Sequence, residues 1–305
     1  MAIDRIKRGL SSPKLFAREA NRQFHTRLGN RPHNINGVDI FEQDWDNLII
    51  LDACRHDIFA EQAAPHLTGQ LESRISRGSN TYEWLKANVS ERELYDTVYV
   101  TATPQYYQKF PSHDEFFDVI EVWDTDAWDS EIYTLPPDAM TDAVIEAANA
   151  YPNKRILGHY LQPHFPYIGP TADSHRDVFD LESKDIFSKI STGKIDISDD
   201  VLRTAYRETL EAAVPEVSRA VDKLDGKTVL SADHGEMIGQ RSSPIPIREY
   251  GHPRKTYTEE LVKVPWFVCD HETRRDIRNG EAPMNLEHDA VADVEQRLAD
   301  LGYVN

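Results

Sequence analysis

The segment LSADHGEMIG, residues 230–239, sets an acid and a histidine side by side after an apolar run. Asp233 offers hard oxygen and His234 imidazole nitrogen, a usual pair for a divalent cation. Gly235 lets the chain turn sharply behind them. A second acid, Asp52, closes the apolar run of IILDACRHD, residues 49–57. Two acids at the ends of parallel strands can face one ion, whereas a lone Asp there is usually a helix cap. Arg55 and Asp57 can simply pair with each other. In SRGSNTYEWL, residues 76–85, Gly78 precedes Ser79 and a helical run follows. A hydroxyl at a helix start meets free N–H groups and a positive dipole end, which suits a phosphate or sulfate group. On a metal, such a hydroxyl loses its proton more easily and can attack. The structural alternative is a cap, from Ser79 to Glu83 or from Asn80 to Glu83. HYLQPHFPY, residues 159–167, holds His159 and His164, the latter between Pro163 and Pro166. EYGHPRKTY, residues 249–257, holds His252 between Gly251 and Pro253. These histidines suit anionic oxygens, a metal, or protonation of a leaving group.

Strands are needed to deliver these residues. Apolar runs at 47–52, 97–103, 117–123, 155–161, 227–233 and 263–269 read as strands, and 138–151 and 199–224 as helices. This alternation predicts an α/β fold with a mainly parallel central sheet flanked by helices on both faces. Ligands gather outside the carboxyl ends of such strands, where Asp52, His159, Asp233 and His234 fall. Residues 171–198 and 239–258 read as loops or lids over that edge, and a final helix is expected near 287–301.

The chain has 305 residues and a net charge of −18, with 52 acids against 34 bases. Nucleic acid is excluded as a main partner, since phosphate binding needs clustered positive charge. The 22 Arg against 12 Lys within this acidic excess suit a salt-rich cytoplasm. Cys54 and Cys269 stand far apart in apolar stretches and read as reduced, buried thiols. No apolar run approaches the ~18 residues of a membrane span, and the N-terminus lacks the apolar stretch of a signal peptide; a cytoplasmic protein is expected. Residues 1–35 hold eight cationic residues against Asp4 and Glu19, which leaves this arm at +6 and the remainder at −24. Phe16, Ala20, Phe24 and Leu28 recur every four residues as one helical stripe. Such an arm can lie on anionic lipid as a peripheral membrane contact, or pack on the acidic body. Packing on the body is the expectation. The division expected is a basic helical arm over 1–40 and a single catalytic domain over 41–305.

Taken in order, the segments resemble the alkaline phosphatase/sulfatase superfamily. The order of Asp52, a hydroxyl opening a helix, HYLQPHFPY, DHGE, GHP and KVPWFV is similar to sulfatases and to the phosphoethanolamine and lipoteichoic-acid transferases, over about residues 45–270. The resemblance implies a metal-dependent hydrolase or transferase of phosphate-type esters. It implies Asp52, Asp233, His234 and Ser79 as metal ligands, and Ser79 as nucleophile with Thr81 as its rival. It implies His164 on the transferred group and His252 near the substrate or a second metal. One ion, Mn, Zn, Mg or Ca, is the simpler reading; a second through His164 and His252 is the alternative. The implied substrate is an anionic ester, such as a glycan or lipid headgroup. Ser79-Asn80-Thr81-Tyr82-Glu83 and Cys54-Arg55-His56-Asp57-Ile58 both lack the motif that sulfatases convert to formylglycine. Phosphoryl transfer therefore fits better than sulfate hydrolysis. The alternatives are a sulfatase or phosphodiesterase on the same scaffold, and a non-catalytic binding protein of the same fold.

Overall fold

The computed structural model describes residues 13–110, 114–179 and 186–281. Its strands are β1 (Asn47–Leu51), β2 (Gly69–Ile75), β3 (Leu94–Thr101), β4 (Phe116–Glu121), β5 (Arg155–Tyr160), β6 (Thr228–Ser231), β7 (Met237–Arg241), β8 (Arg248–Gly251) and β9 (Lys263–Cys269). Seven of them form one sheet in the order β2-β9-β6-β1-β5-β3-β4, and β7 and β8 form a separate hairpin. The run NLIIL becomes the middle strand, β1, parallel to β6 on one side and β5 on the other. A strand covered on both faces needs apolar residues at every position. Successive side chains point to opposite faces. Ile49 and Leu51 enter the core beneath the helices Pro137–Ala150 and Asp199–Lys223, while Leu48 and Ile50 meet Trp84, Leu85 and Trp266. Each such fully buried side chain contributes about 1.5–3 kcal/mol.

The expected α/β sheet is mostly parallel, with one exception. β9 runs antiparallel to both β6 and β2. After β6 the chain makes only the β7–β8 hairpin and a four-residue helix, Glu259–Val262, before it re-enters the sheet. No long crossover carries it back to the other end, so it must return antiparallel. The two long helices match expectation within a residue. Ser198 caps the second, its hydroxyl accepting from Val201 N at 3.2 Å, and Asp199 and Asp200 occupy its first turn. The segment 239–258, expected as a loop, contains most of the hairpin. Residues 171–198 hold the short helices Pro170–Ser174 and Ile186–Ser191; 180–185 and the expected helix near 287–301 lie outside the described residues.

The N-terminal helix, Pro13–His25, packs on a different face from the one expected. Its buried residues are Ala17 and Asn21, not the stripe of Phe16, Phe24 and Leu28, which is exposed. Asn21 donates to Ser242 Oγ and Ile245 O, and accepts from Ile245 N. Arg18 pairs with Glu249 at 2.7 Å. The body is acidic, so it attracts the polar, cationic face and leaves the apolar one outside. Among the described residues no helix is long and apolar enough to cross a membrane.

Candidate functional site

Three central strands aim their carboxyl ends at one point. β1 ends at Leu51 and places Asp52 next, its N–H donating to Tyr160 O at the end of β5. β5 itself carries His159. β6 ends at Ser231, and the chain then delivers Asp233 and His234. Gly235 follows where no side chain fits: a Cβ would stand 2.1 Å from Glu260 O. Its N–H donates to Leu261 O at 2.8 Å. The turn is thus clamped against the short helix Glu259–Val262 that precedes β9.

Asp52, Asp233 and His234 are fully buried, and their ligand atoms lie within 4.8 Å of one another. His234 Nε2 is 3.3 Å from both Asp52 Oδ1 and Asp233 Oδ2. His234 Nδ1 lies 2.8 Å from Gly235 O. A carbonyl only accepts, so Nδ1 holds the proton and the second nitrogen is the one turned to the acids. Asp233 Oδ1 takes the N–H groups of Ala53 and His234. Asp233 Oδ2 is buried without a hydrogen-bond partner among the described residues, and so is His159 Nε2, 3.8 Å away. Buried polar atoms are rarely left so. A divalent cation fits this donor set of two carboxylates and imidazole, with His159 beside it. Burial opposes charge on Asp52, but His164 and His234 outweigh it and hold the carboxyl below its ordinary range.

The hydroxyl at this cluster is Thr81. Its Oγ1 is 3.4 and 3.5 Å from the Asp52 oxygens and 3.3 Å from His234 Nε2. Ser79, expected as nucleophile and metal ligand, is engaged elsewhere. Its hydroxyl lies 3.0 Å from Glu83 Oε2 and 3.1 Å from Pro253 O, and its N–H donates to the same Glu83 oxygen. Asn80 is the N-cap of the helix Thr81–Asn88, accepting from Glu83 N at 3.0 Å. The helix therefore opens at Thr81, two residues later than expected, and both capping alternatives read from the sequence are made. Arg55 and Asp57 form the two-pronged pair foreseen, at 2.8 and 2.7 Å.

A second group lies against the first. His164, Glu236 and His252 also bring ligand atoms within 4.8 Å of one another. The His252 ring centre is 4.7 Å from that of His234 and 4.9 Å from that of His164. His252 Nδ1 is 3.3 Å from Glu236 Oε1. Burial pushes Glu236 up to about 7, with His164 and His234 working against the rise. Burial and the neighbouring His234 push His252 down to about 3. Glu236 was not singled out from the sequence. Its signal is its place directly after Gly235, two residues from His234 in DHGE. His159 makes its own contact through Nδ1, 2.9 Å from Tyr99 OH. Both cysteines are buried free thiols.

No protein-family model matches the chain, and no curated protein matches it by sequence. Several solved structures match part of the chain. The soluble domain of lipooligosaccharide phosphoethanolamine transferase A from Neisseria meningitidis is 12% identical with a TM-score of 0.47, over 72% of this chain and 75% of that one. A protein in the alkaline phosphatase superfamily from Vibrio parahaemolyticus is 12% identical with a TM-score of 0.47, over 85% of this chain and 71% of that one. The C-terminal periplasmic domain of EcEptC from Escherichia coli, in complex with Zn, is 13% identical with a TM-score of 0.45, over 76% of each chain. These neighbours are members of the alkaline phosphatase superfamily, the group that the order of motifs resembles. The roles of residues rest on the geometry above.

Proposed function

We propose that the chain is a metal-dependent transferase or hydrolase of phosphate-type esters in which Thr81, not Ser79, is the nucleophile. The observation that carries this is the placement of Thr81 Oγ1 against Asp52 and His234 while the Ser79 hydroxyl is held by Glu83 and Pro253. Asp52, Asp233 and His234 would hold one divalent ion, with Thr81 Oγ1 beside it. When bound, the ion would supply positive charge that lowers the pKa of the hydroxyl. The oxygen and nitrogen donors suit Zn or Mn better than Ca.

The chain's own groups account for the remaining steps. Asp52 accepts from the Thr81 hydroxyl and orients it; the hydroxyl would give up its proton to water before attack, so that Oγ1 attacks as the oxyanion and is restored as the oxyanion when the group leaves. As the Oγ1–P bond forms, the bond from phosphorus to the leaving oxygen breaks, and that oxygen needs a proton. Glu236, pushed up to about 7, holds one near neutral pH and can donate it, with His252 fixed beside it at 3.3 Å. His164 is placed to stabilise the extra negative charge. Water or an acceptor alcohol then gives its proton back to Glu236 and releases the group from Thr81. An anionic substrate is supported by positive charge beside the nucleophile: Lys109 Nζ and Arg254 Cζ each lie 5.9 Å from the centre of the Tyr82 ring. A second ion at His164, Glu236 and His252 is the rival use of that group, favoured by its convergent ligand atoms.

The test is steady-state turnover of aryl phosphate monoesters, diesters and sulfate esters with added Mn, Zn, Mg or Ca. Thr81→Ala is expected to lower kcat by roughly a thousandfold or more with the metal still bound, a loss in the range of a catalytic group that acts with its neighbours. Ser79→Ala is expected to keep turnover and lose about 1 kcal/mol of stability with its bond to Glu83. The reverse result assigns the nucleophile to Ser79. Metal binding without turnover of any ester, by the unaltered chain, supports a binding protein instead.

A further inference from the structure

We infer that the N-terminal helix and the groove beside it dock the protein on an anionic lipid bilayer. Large exposed apolar side chains are few, and they are not scattered. Of the six among the described residues, Leu15, Phe16, Phe24, Leu28 and Ile35 fall within one stretch of the sequence, and Ile245 lies in the segment that Asn21 holds. Phe16 is 66% exposed, Phe24 60% and Leu28 83%. Isolated exposed apolar residues are ordinary, but a contiguous set is costly to leave in water and marks a contact surface.

The charge of the same stretch identifies the contact. Residues 1–35 carry +6 in a chain whose remainder carries −24. Arg18 and Arg22 are committed to Glu249 and Glu19. Arg27 and Arg31 instead border the groove. This groove, of about 1070 Å³, is lined by Phe24, Leu28, Tyr257 and Val262, and its one acid, Glu259, is paired with Lys263. An apolar face rimmed by cations is the pattern of a helix lying in the headgroup layer of an anionic membrane. The helix is also held at a fixed angle to the body. Its inner face is fastened through Ala17, Asn21 and Arg18, and its end meets Tyr257, with ring centres of His25 and Tyr257 6.1 Å apart. Tyr257 OH in turn donates to Glu83 at 2.7 Å, on the helix that Thr81 opens. The docking surface is therefore continuous with the wall of the candidate site, yet it shares no residue with it, and it stands whether or not that site is catalytic.

The experiment is co-sedimentation of the full, metal-loaded chain with vesicles of phosphatidylcholine alone and of equal parts phosphatidylcholine and phosphatidylglycerol. The protein is expected on the mixed vesicles and not on the neutral ones. The triple variant Phe16→Ser, Phe24→Ser, Leu28→Ser is expected to lower the partition coefficient by at least about tenfold. Because these side chains are exposed, its melting temperature should stay that of the parent. Arg27→Gln with Arg31→Gln is expected to lower binding roughly fivefold per charge at low salt and by less at high salt. Thr81→Ala should bind vesicles like the parent, which separates this inference from the catalytic one. Absence of binding to mixed vesicles, equal binding to both kinds, or full binding by the triple variant would overturn it. So would parent protein that ignores vesicles but self-associates in light scattering through these same side chains, since the occupant would then be a second copy of the chain.

Discussion

Thr81 owes its place to the residues just before it. A Cβ on Gly78 would stand 2.4 Å from Trp84 N, so only glycine lets the chain pass this close to the helix. Ser76 donates to the carbonyl of Asp233 and ties the same loop to the turn that carries Asp233 and His234. Ser79 and Asn80 are consumed in starting the helix, and the next hydroxyl is the one left to face the acids. From sequence alone the two hydroxyls are equivalent candidates, because what separates them is which side of a helix start each occupies. The state of His234 follows from its neighbours as well. Burial works against a charged ring, and Asp233 and Asp52 outweigh it, so the ion-free histidine is pushed up to about 9. A group raised in the folded state contributes stability that is complete below its unfolded value of 6.5 and is lost as pH rises through 9. A cation must displace that proton from Nε2. Metal affinity measured by chelator competition is therefore expected to climb about tenfold per pH unit from neutrality and to level off above about 9. A flat profile would contradict the assignment of His234 as a ligand.

Elements set how much of this was legible. β1 and β6 are continuous apolar runs because both their faces are covered, and the acids that end them were readable as site residues for the same reason. β2, with the sequence GQLESRI, is an edge strand largely open to solvent, and its Glu72 and Arg74 pair at 2.8 Å. Charges of this kind keep an edge from pairing with other chains, and they also erase the apolar signal of a strand. The β7–β8 hairpin is short and half polar, so it reads as loop although it carries Glu236 and His252 at its base. The antiparallel course of β9 depends on the brevity of the connection before it, which no local pattern in KVPWFVC records. The turn between β6 and β7 is the most constrained point in the site. Gly235→Ala would drive a Cβ into Glu260 O and displace His234 and Glu236 together. It is expected to cost about 3 kcal/mol in a denaturant titration and to abolish metal binding. An alanine variant with full stability and full metal content would show that the turn is not clamped as described.

Across the whole molecule the charge divides between an acidic body and a cationic arm. The carboxylates of the body repel anions. Beside the candidate site, two cationic side chains over Tyr82 oppose that repulsion, and a bound ion would add to them. The arm turns its polar face to the acids and its apolar face outward, the opposite of what its helical spacing alone suggested. Periodicity shows that a stripe exists but not which neighbour covers it, and the charge of the neighbour decided that. The central claim concerns where the whole chain becomes modified during turnover. It is tested most directly by the intact mass of acid-quenched protein, taken with metal and an aryl phosphate diester, followed by fragmentation of the peptide that holds both hydroxyls. A covalent phosphoryl adduct on Thr81 is expected, retained in Ser79→Ala and absent in Thr81→Ala. An adduct on Ser79, or steady turnover with no adduct in the presence of a slow leaving step, would contradict it.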